Sequence, residues 1–381
     1  ATGFARIDGT GNLVKIAGTP LTGTLTVDNT GVGSGALAAV TTGVDNSAYG
    51  VNALNALTSG NDNTAFGDNA MPVATTANNN VAVGSAAGLA LTTAAGNTLI
   101  GTNAGLAVTT SANNVALGLN ALSSAVTNGS NTAIGTSALS TVNSAVVGEG
   151  IENTAVGVSA LSGLTTGSYN TSVGQSAGSS LTTATNNIAV GRNTQAGTTA
   201  SNNTIVGTTA GSAALGANNT ALGVNTLNSA AVAVTDLVAT GATALTDAAT
   251  TTGTVAVAPS ALTALTTGAT NTAVGSTAGS TITTGSSNTL VGHTTASAAT
   301  ASNNTIVGAT AGSTALGNNN TSVGTNTLNS AAAAVTDTVA IGANALTSAL
   351  TTGANGTVAV GSSALTALTS GAANTAIGQN S

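Results

Sequence analysis

Along this chain one short pattern of polar and apolar places keeps returning: asparagine, a β-branched residue, a small residue, a large apolar residue, then glycine. It reads NTAFG from Asn63, NVAVG from Asn80, NTLIG from Asn97, NVALG from Asn114, NTAIG from Asn131 and NTAVG from Asn153. The pattern starts 21 times, at positions 29, 46, 63, 80, 97, 114, 131, 153, 170, 187, 203, 219, 237, 254, 271, 288, 304, 320, 338, 357 and 374. The spacing is 17 for the first six steps and 16 to 19 afterwards, apart from one step of 22 between Asn131 and Asn153. The first place is Asn in 17 of the 21 units; Leu237, Thr254, Thr338 and Thr357 are the exceptions. Only Ser47 departs from Thr, Val or Ile at the second place, only Thr240 from a large apolar residue at the fourth, and only Ala258 from Gly at the fifth.

Second and fourth places share one face of a strand, because side chains alternate along it, and β-branched residues suit a pleated surface. Glycine at the fifth place permits a sharp turn or close backbone approach. The later part of each unit, as in ALTALTTG from Ala261, has room for a second short strand and a second turn. The pattern therefore predicts an all-β fold, a parallel β-solenoid of about 21 coils with about 17 residues in each. Stacked ~4.8 Å apart, such coils would form a rod of ~100 Å. Equivalent residues would lie over one another, and Asn46, Asn63, Asn80, Asn97, Asn114, Asn131, Asn153 and Asn170 would form a ladder of side-chain amides, as stacked asparagines do in cross-β assemblies.

Organisation above the coil is also visible. Residues 29–381 carry the repeat, and residues 1–28 read differently. From Asn170 onward the chain matches itself at an offset of 101: NTLNSAAVAVTD at Asn225 returns as NTLNSAAAAVTD at Asn326. This marks a block duplication within 170–381. In residues 1–28 the stretches FARI, NLVKI and TLTV predict strands between glycine turns. The segment reads either as a cap on the first coil or as a docking element. The chain ends at NTAIGQNS, one strand into a new coil. An open edge is a template for another chain, so head-to-tail stacking into a filament is expected.

Composition narrows the function. Charged residues are 3% and aromatics 1% of the chain, against a usual quarter charged. Disordered chains are rich in charge and poor in β-branched residues; this one is the reverse, and should fold. Net charge is −7, and Arg6, Lys15 and Arg192 are the three basic residues. They cannot neutralise a run of phosphates, which excludes nucleic acid, and they form no basic patch for anionic lipid. No apolar run reaches the length of a spanning helix, so membrane insertion is not expected. Cysteine is absent, which removes disulfides and thiolate sites. The chain begins at Ala1, which reads as a removed signal segment or an excerpt.

The tandem NTAIG…AL…TTG pattern resembles the head repeats of trimeric autotransporter adhesins and the repeats of phage tail fibres, over about residues 29–381. The resemblance implies a left-handed parallel β-roll, commonly trimeric, that serves as an adhesive or structural shaft at a cell surface or on a virion. The coils here are longer than the adhesin head coil, and neither a coiled-coil stalk nor a membrane-anchor barrel is visible in the sequence.

Candidate chemistry is sparse. The single histidine, His293, follows the Gly of NTLVG, a place held by Asp68, Gln175, Arg192 and Thr208 in other units; this reads as a surface turn. No Ser–His–Asp set, zinc quartet or phosphate loop is present, so no enzyme is expected. Asp28, Asp45 and Asp62 each precede a unit start, 17 residues apart, and Asp236 and Asp337 take the same place later. Stacked carboxylates could hold Ca²⁺ through oxygen ligands, or stand in water at a turn that favours Asp; no other cofactor is implied. Paired threonines begin at Thr41, Thr75, Thr92, Thr109, Thr165, Thr182, Thr266 and Thr283. Such rows suit an ice-binding face, a solvated face or a face packed on a neighbour. The function expected is a structural, self-assembling subunit of an extracellular fibre, a head-to-tail filament or trimer of itself. The alternatives are an adhesin head or tail-fibre segment that binds a host surface, and an ice-binding solenoid.

Overall fold

The structure, a computed structural model, describes residues 29–125, 129–143, 148–194, 199–211, 215–228, 234–248, 250–296, 298–312, 316–330, 334–348 and 350–381, together with two short strands before them. Those strands, Ala5–Ile7 and Leu13–Lys15, pair antiparallel, with Arg6 opposite Val14. They lie within two of the stretches expected to be extended; TLTV, in residues 24–27, and Asp28 lie outside the described residues. The chain divides into two compact units, Ala1–Asn187 and Ile188–Ser381.

Each unit is a parallel β-solenoid. In the first, nine three-residue strands run from Thr30–Val32 to Thr171–Val173; in the second, twelve run from Ile188–Val190 to Thr375–Ile377. Strands from consecutive coils pair in parallel with no stagger: Thr64 lies opposite Val81, Ala65 opposite Ala82 and Phe66 opposite Val83. In the second unit Thr272 lies opposite Thr289 and Val274 opposite Val291 in the same way. Equivalent places therefore stack into columns.

The coil has one strand, where the sequence left room for two. The reason is local backbone geometry. The residue before the Asn place is left-handed in coil after coil, as at Asp62 (φ 57°), Asn79 (56°) and Asn113 (60°). The fifth-place glycine ends the strand, as Gly101 does at φ 132°. A Cβ there would sit 2.5 Å from the Gly118 carbonyl oxygen of the next coil, so the column admits only glycine without strain. The seventh and ninth places are left-handed again, as at Asn120 (φ 55°) and Leu122 (53°). Two left-handed residues so close together cannot sit in an extended strand. The later segment instead stacks through single backbone bonds, such as Leu122 N–H to Ala138 O at 2.9 Å.

The core is thin and filled by volume compensation. The third-place residue points inward; the eighth, ninth and twelfth places meet it. Ala116, Ala121, Leu122 and Ala125 of one coil are all fully buried. Where the third place holds Ala, as at Ala116, Ala133 and Ala155, the ninth holds Leu122, Leu139 and Leu161. Where the third place holds Leu99, Ile205 or Ile306, the ninth is Gly105, Gly211 or Gly312. At Gly105 an added Cβ would lie 2.6 Å from a Leu99 methyl, and at Gly211 it would lie 3.0 Å from Ile205. A large third-place side chain takes the volume that a large ninth-place side chain fills in other coils, so these layers hold one or the other.

Candidate functional surface

The asparagines at the first place face inward and hold the coils together. Asn46, Asn63, Asn80, Asn97, Asn114, Asn131, Asn153 and Asn170 are all fully buried. Most perform two kinds of stitch; Asn114, whose amide donates to Ser111 Oγ, and Asn131, whose amide reaches Gly150 O, depart in part. Across its own coil, the side-chain amide donates to a carbonyl about fourteen residues on: Asn63 to Ala77 at 2.7 Å, Asn80 to Ala94 at 2.9 Å and Asn170 to Ala184 at 2.8 Å. Between coils, the Oδ1 of one Asn accepts from both the backbone N–H and the side-chain amide of the next. Asn97 donates to Asn80 Oδ1 at 2.9 and 3.1 Å, and Asn114 donates to Asn97 Oδ1 at 3.0 and 3.0 Å. The long step from Asn131 to Asn153 keeps the register, with Asn153 N–H to Asn131 Oδ1 at 2.9 Å. A buried amide so fully paired is stabilising, and an unpaired one is costly.

Around this interior the remaining candidates sort by geometry. Asp45 and Asp62 are exposed on consecutive coils, with φ of 58° and 57°. Their place is left-handed throughout, which by itself suits Asp, Asn and Gly. In other coils it holds Asn79, Gly96, Asn186 and Asn202. Among the described residues no three His, Cys, Asp or Glu side chains gather closely enough to hold a metal ion. In the second unit Asp236 and Asp337 close short surface ladders of amides. Asn218 donates to Asp236 and Asn319 to Asp337, both at 3.0 Å. The Asp337 carboxyl is held below the ordinary carboxylate value, first by the Asn319 amide and then by a hydrogen bond from Thr336. His293 is exposed, and its ring meets the neighbouring Thr294 hydroxyl, at 2.7 Å from Nδ1.

The paired threonines divide their work. The first of the pair is half-buried in most coils, though exposed at Thr41, and turns its hydroxyl onto the next coil: Thr92 to Thr109 O at 3.2 Å, Thr165 to Thr182 O at 3.0 Å and Thr266 to Thr283 O at 2.9 Å, as Thr58 of a Thr–Ser pair does to Thr75 O at 3.0 Å. These hydroxyls are spent inside the fold. The second threonine, as at Thr76, Thr93 and Thr183, is exposed.

The feature that sequence reasoning missed is the orientation of the strand. Of the three strand residues only the third-place one faces the core. The β-branched second place and the large apolar fourth place face out. Val32 is 48%, Phe66 57% and Leu117 42% exposed in the first unit, and Leu222 39%, Val274 38% and Ile341 38% in the second. Tyr49 and Phe66 stack on adjacent coils of this face, ring centres 5.7 Å apart. No strand from Thr30–Val32 to Thr375–Ile377 contains a charged residue. At the sixth place Val51, Leu119, Val158 and Val224, each about half exposed, widen the apolar strip locally, while Asp68 and Arg192 put charge at the same place in other coils. The signal was present in the sequence: a coil of about 17 residues cannot enclose a large side chain at every fourth place. Comparison with family models, with curated proteins and with solved structures finds no match to this chain.

Proposed function

We propose that the chain is a non-catalytic structural subunit of an extracellular fibre, and that its copies associate along the outward strand face. The observation that carries this reading is the column of exposed aliphatic and aromatic side chains at the fourth place. Nine coils at ~4.8 Å make a strip of roughly 400 Å² in the first unit, and twelve make roughly 500 Å² in the second. Each is comparable to the largest apolar patch of a typical monomer. A stable interface takes ~800 Å² from each partner, so one strip supplies about half of it and the second-place side chains on the same strand face supply the rest. A second copy supplies the complement, since it carries the same uncharged surface at the same spacing. The resemblance to adhesin-head and tail-fibre repeats supports a trimer, a place at a cell surface or virion, and an adhesive role for the shaft.

The test is analytical ultracentrifugation of the full chain and of a Phe66→Asp/Leu117→Asp variant. Both side chains point outward, so the variant should fold and melt like the parent, yet sediment as a monomer where the parent is oligomeric. A parent that stays monomeric at high concentration, or a variant that associates equally well, refutes the reading. A second reading, ice binding, draws on threonines such as Thr204, Thr220, Thr272 and Thr289, which stand in an unstaggered column on the same face. A monomeric parent with thermal hysteresis would favour it.

A further inference from the structure

We infer that the two coils spanning residues 237–270 are a built-in seam at which the second unit opens first. Four of the repeat's exceptions fall there together. Leu237 and Thr254 replace Asn at the first place, Thr240 is the polar fourth-place residue, and Ala258 stands where glycine is otherwise invariant.

Three of these exceptions remove a specific tie or add strain. The ladder arrives intact at Leu237, whose N–H donates to Asn219 Oδ1 at 3.1 Å. It stops there, because a leucine side chain offers neither an acceptor to the next coil nor an amide to its own. The stitches that Asn271 makes to Gly285 O at 2.8 Å and Asn288 makes to Ala301 O at 2.9 Å have no counterpart from Leu237 to Thr251 or from Thr254 to Gly268. The ladder restarts weakly: Asn271 N–H reaches Thr254 Oγ1 at 3.3 Å. The Thr251 hydroxyl is buried without a hydrogen-bond partner, a cost that coils with Gly285 or Ala301 at that place avoid. Ala258 has φ 120°, between Gly241 at 124° and Gly275 at 138° in the neighbouring coils. That region is nearly reserved for glycine, and a side chain there stores backbone strain.

The same gap returns in the duplicated block, 101 residues on at Thr338 and 103 on at Thr357. Thr338 N–H donates to Asn320 Oδ1 at 3.1 Å, and the Thr357 hydroxyl is buried without a partner. This second gap keeps glycine at the fifth place, with Gly342 and Gly361. It lacks the strain, so it ranks second. Regions with fewer internal ties open locally while their neighbours stay folded, and in a stack of repeats such opening propagates only as far as the next strong interface. The seam lets the second unit part and re-form between coils while the intact Asn271–Asn320 ladder holds.

The experiment is native-state hydrogen exchange on the full chain, comparing the strands Val238–Thr240 and Val255–Val257 with Thr272–Val274 and Thr289–Val291. The seam strands should exchange about tenfold faster or more, the consequence of one or two missing hydrogen bonds. Strands Val339–Ile341 and Val358–Val360 should fall between. Ala258→Gly, which relieves the strain without adding a contact, should slow exchange at Val255–Val257 and leave Thr289–Val291 unchanged. Thr254→Asn, which rebuilds the stitch to Gly268, should add to it. Equal exchange across all these strands in the parent, or repair variants that leave the seam as fast as before, overturns the inference.

Discussion

Removing one rung tests what the asparagine ladder contributes. Asn97 is fully buried. Asn97→Ala deletes its amide's bonds to Asn80 Oδ1 at 3.1 Å and Ser111 O at 3.0 Å, and the acceptor used by Asn114 N–H and Asn114 Nδ2, both at 3.0 Å. Some groups recover: the Asn114 amide retains the Ser111 hydroxyl at 2.6 Å, and Asn80 Oδ1 keeps the Asn97 N–H at 2.9 Å. The Asn114 backbone N–H has no substitute. One orphaned buried donor costs about 1–3 kcal/mol, and each further lost bond about 1 kcal/mol. The expected loss is about 3–5 kcal/mol, a large part of an ordinary domain's stability. Urea denaturation gives the total, and hydrogen exchange at Val115–Leu117 shows whether the loss is local. Asn97→Asp sharpens the test. The carboxylate can still accept from Asn114, but its second oxygen faces the Ser111 carbonyl, so a proton is favoured there. Burial raises the folded pKa above the unfolded ~3.9. The variant's stability is then greatest below that unfolded value and is lost as pH rises through the folded one. At neutral pH it should be weaker than Asn97→Ala, and on acidification the order should reverse or the gap close. A cost for Asn97→Ala under about 1 kcal/mol, the range of a surface substitution, would refute the claim that the ladder holds the coils.

Three further outcomes follow from the geometry. Leu99→Ala should cost about 2–5 kcal/mol, and Leu99→Ala/Gly105→Leu should recover most of it, because the swap recreates the Ala116–Leu122 layer; thermal melts of the single and double variants check this. Thr92→Val, which deletes the hydroxyl bond to Thr109 O at 3.2 Å, should lose about 0.5–1.5 kcal/mol, while Thr93→Val on the exposed neighbour should stay within about 0.5 kcal/mol of zero. The Asp337 carboxyl should titrate below the ordinary carboxylate range by NMR, and Asn319→Ala should raise its midpoint. Its folded value is depressed, so its small contribution is present above the unfolded pKa and fades as pH falls through the folded one.

Repetition is what made the fold legible. A place occupied by Asn in most units, always one coil apart, can only be a column, and the column dictates parallel strands in register. The number of coils and their boundaries followed directly. The single strand per coil did not, because left-handed backbone at Leu122 or Ser137 leaves no mark in residue type: Leu, Ser and Thr occupy such places here as readily as Asn. The threonine pairs were read as one surface, yet Thr92 and Thr93 sit on opposite sides of the fold's boundary. Pairing in sequence says nothing about which hydroxyl a neighbouring carbonyl claims. The direction of the strand was the largest omission. Alternation gives two faces and no sign, and the sign is set by volume, which needs the ninth place to be read together with the third.

That sign bears on function. Asn at the first place, a small or volume-compensated third and glycine at the fifth each stabilise the fold, although Leu237, Thr254 and Ala258 are accommodated beside registered strands, so that no single one is indispensable to it. The fold requires nothing large at the fourth place. Thr240 stands there and its strand still pairs Ala239 with Ala256 in register, so a polar residue is compatible with the coil. The aliphatic and aromatic residues at the other fourth places gain only part of their burial within the chain. Full burial is worth ~25 cal/mol per Å² of apolar surface, and an exposed apolar row carries an aggregation hazard. A chain that writes Val, Ile, Leu, Phe or Tyr at that place in every unit but one is keeping a surface that its own fold does not use. On the proposed reading, association of copies along that face would turn the unused area into binding free energy, a contact that the strands' spacing, lack of charge and outward bulk would all suit.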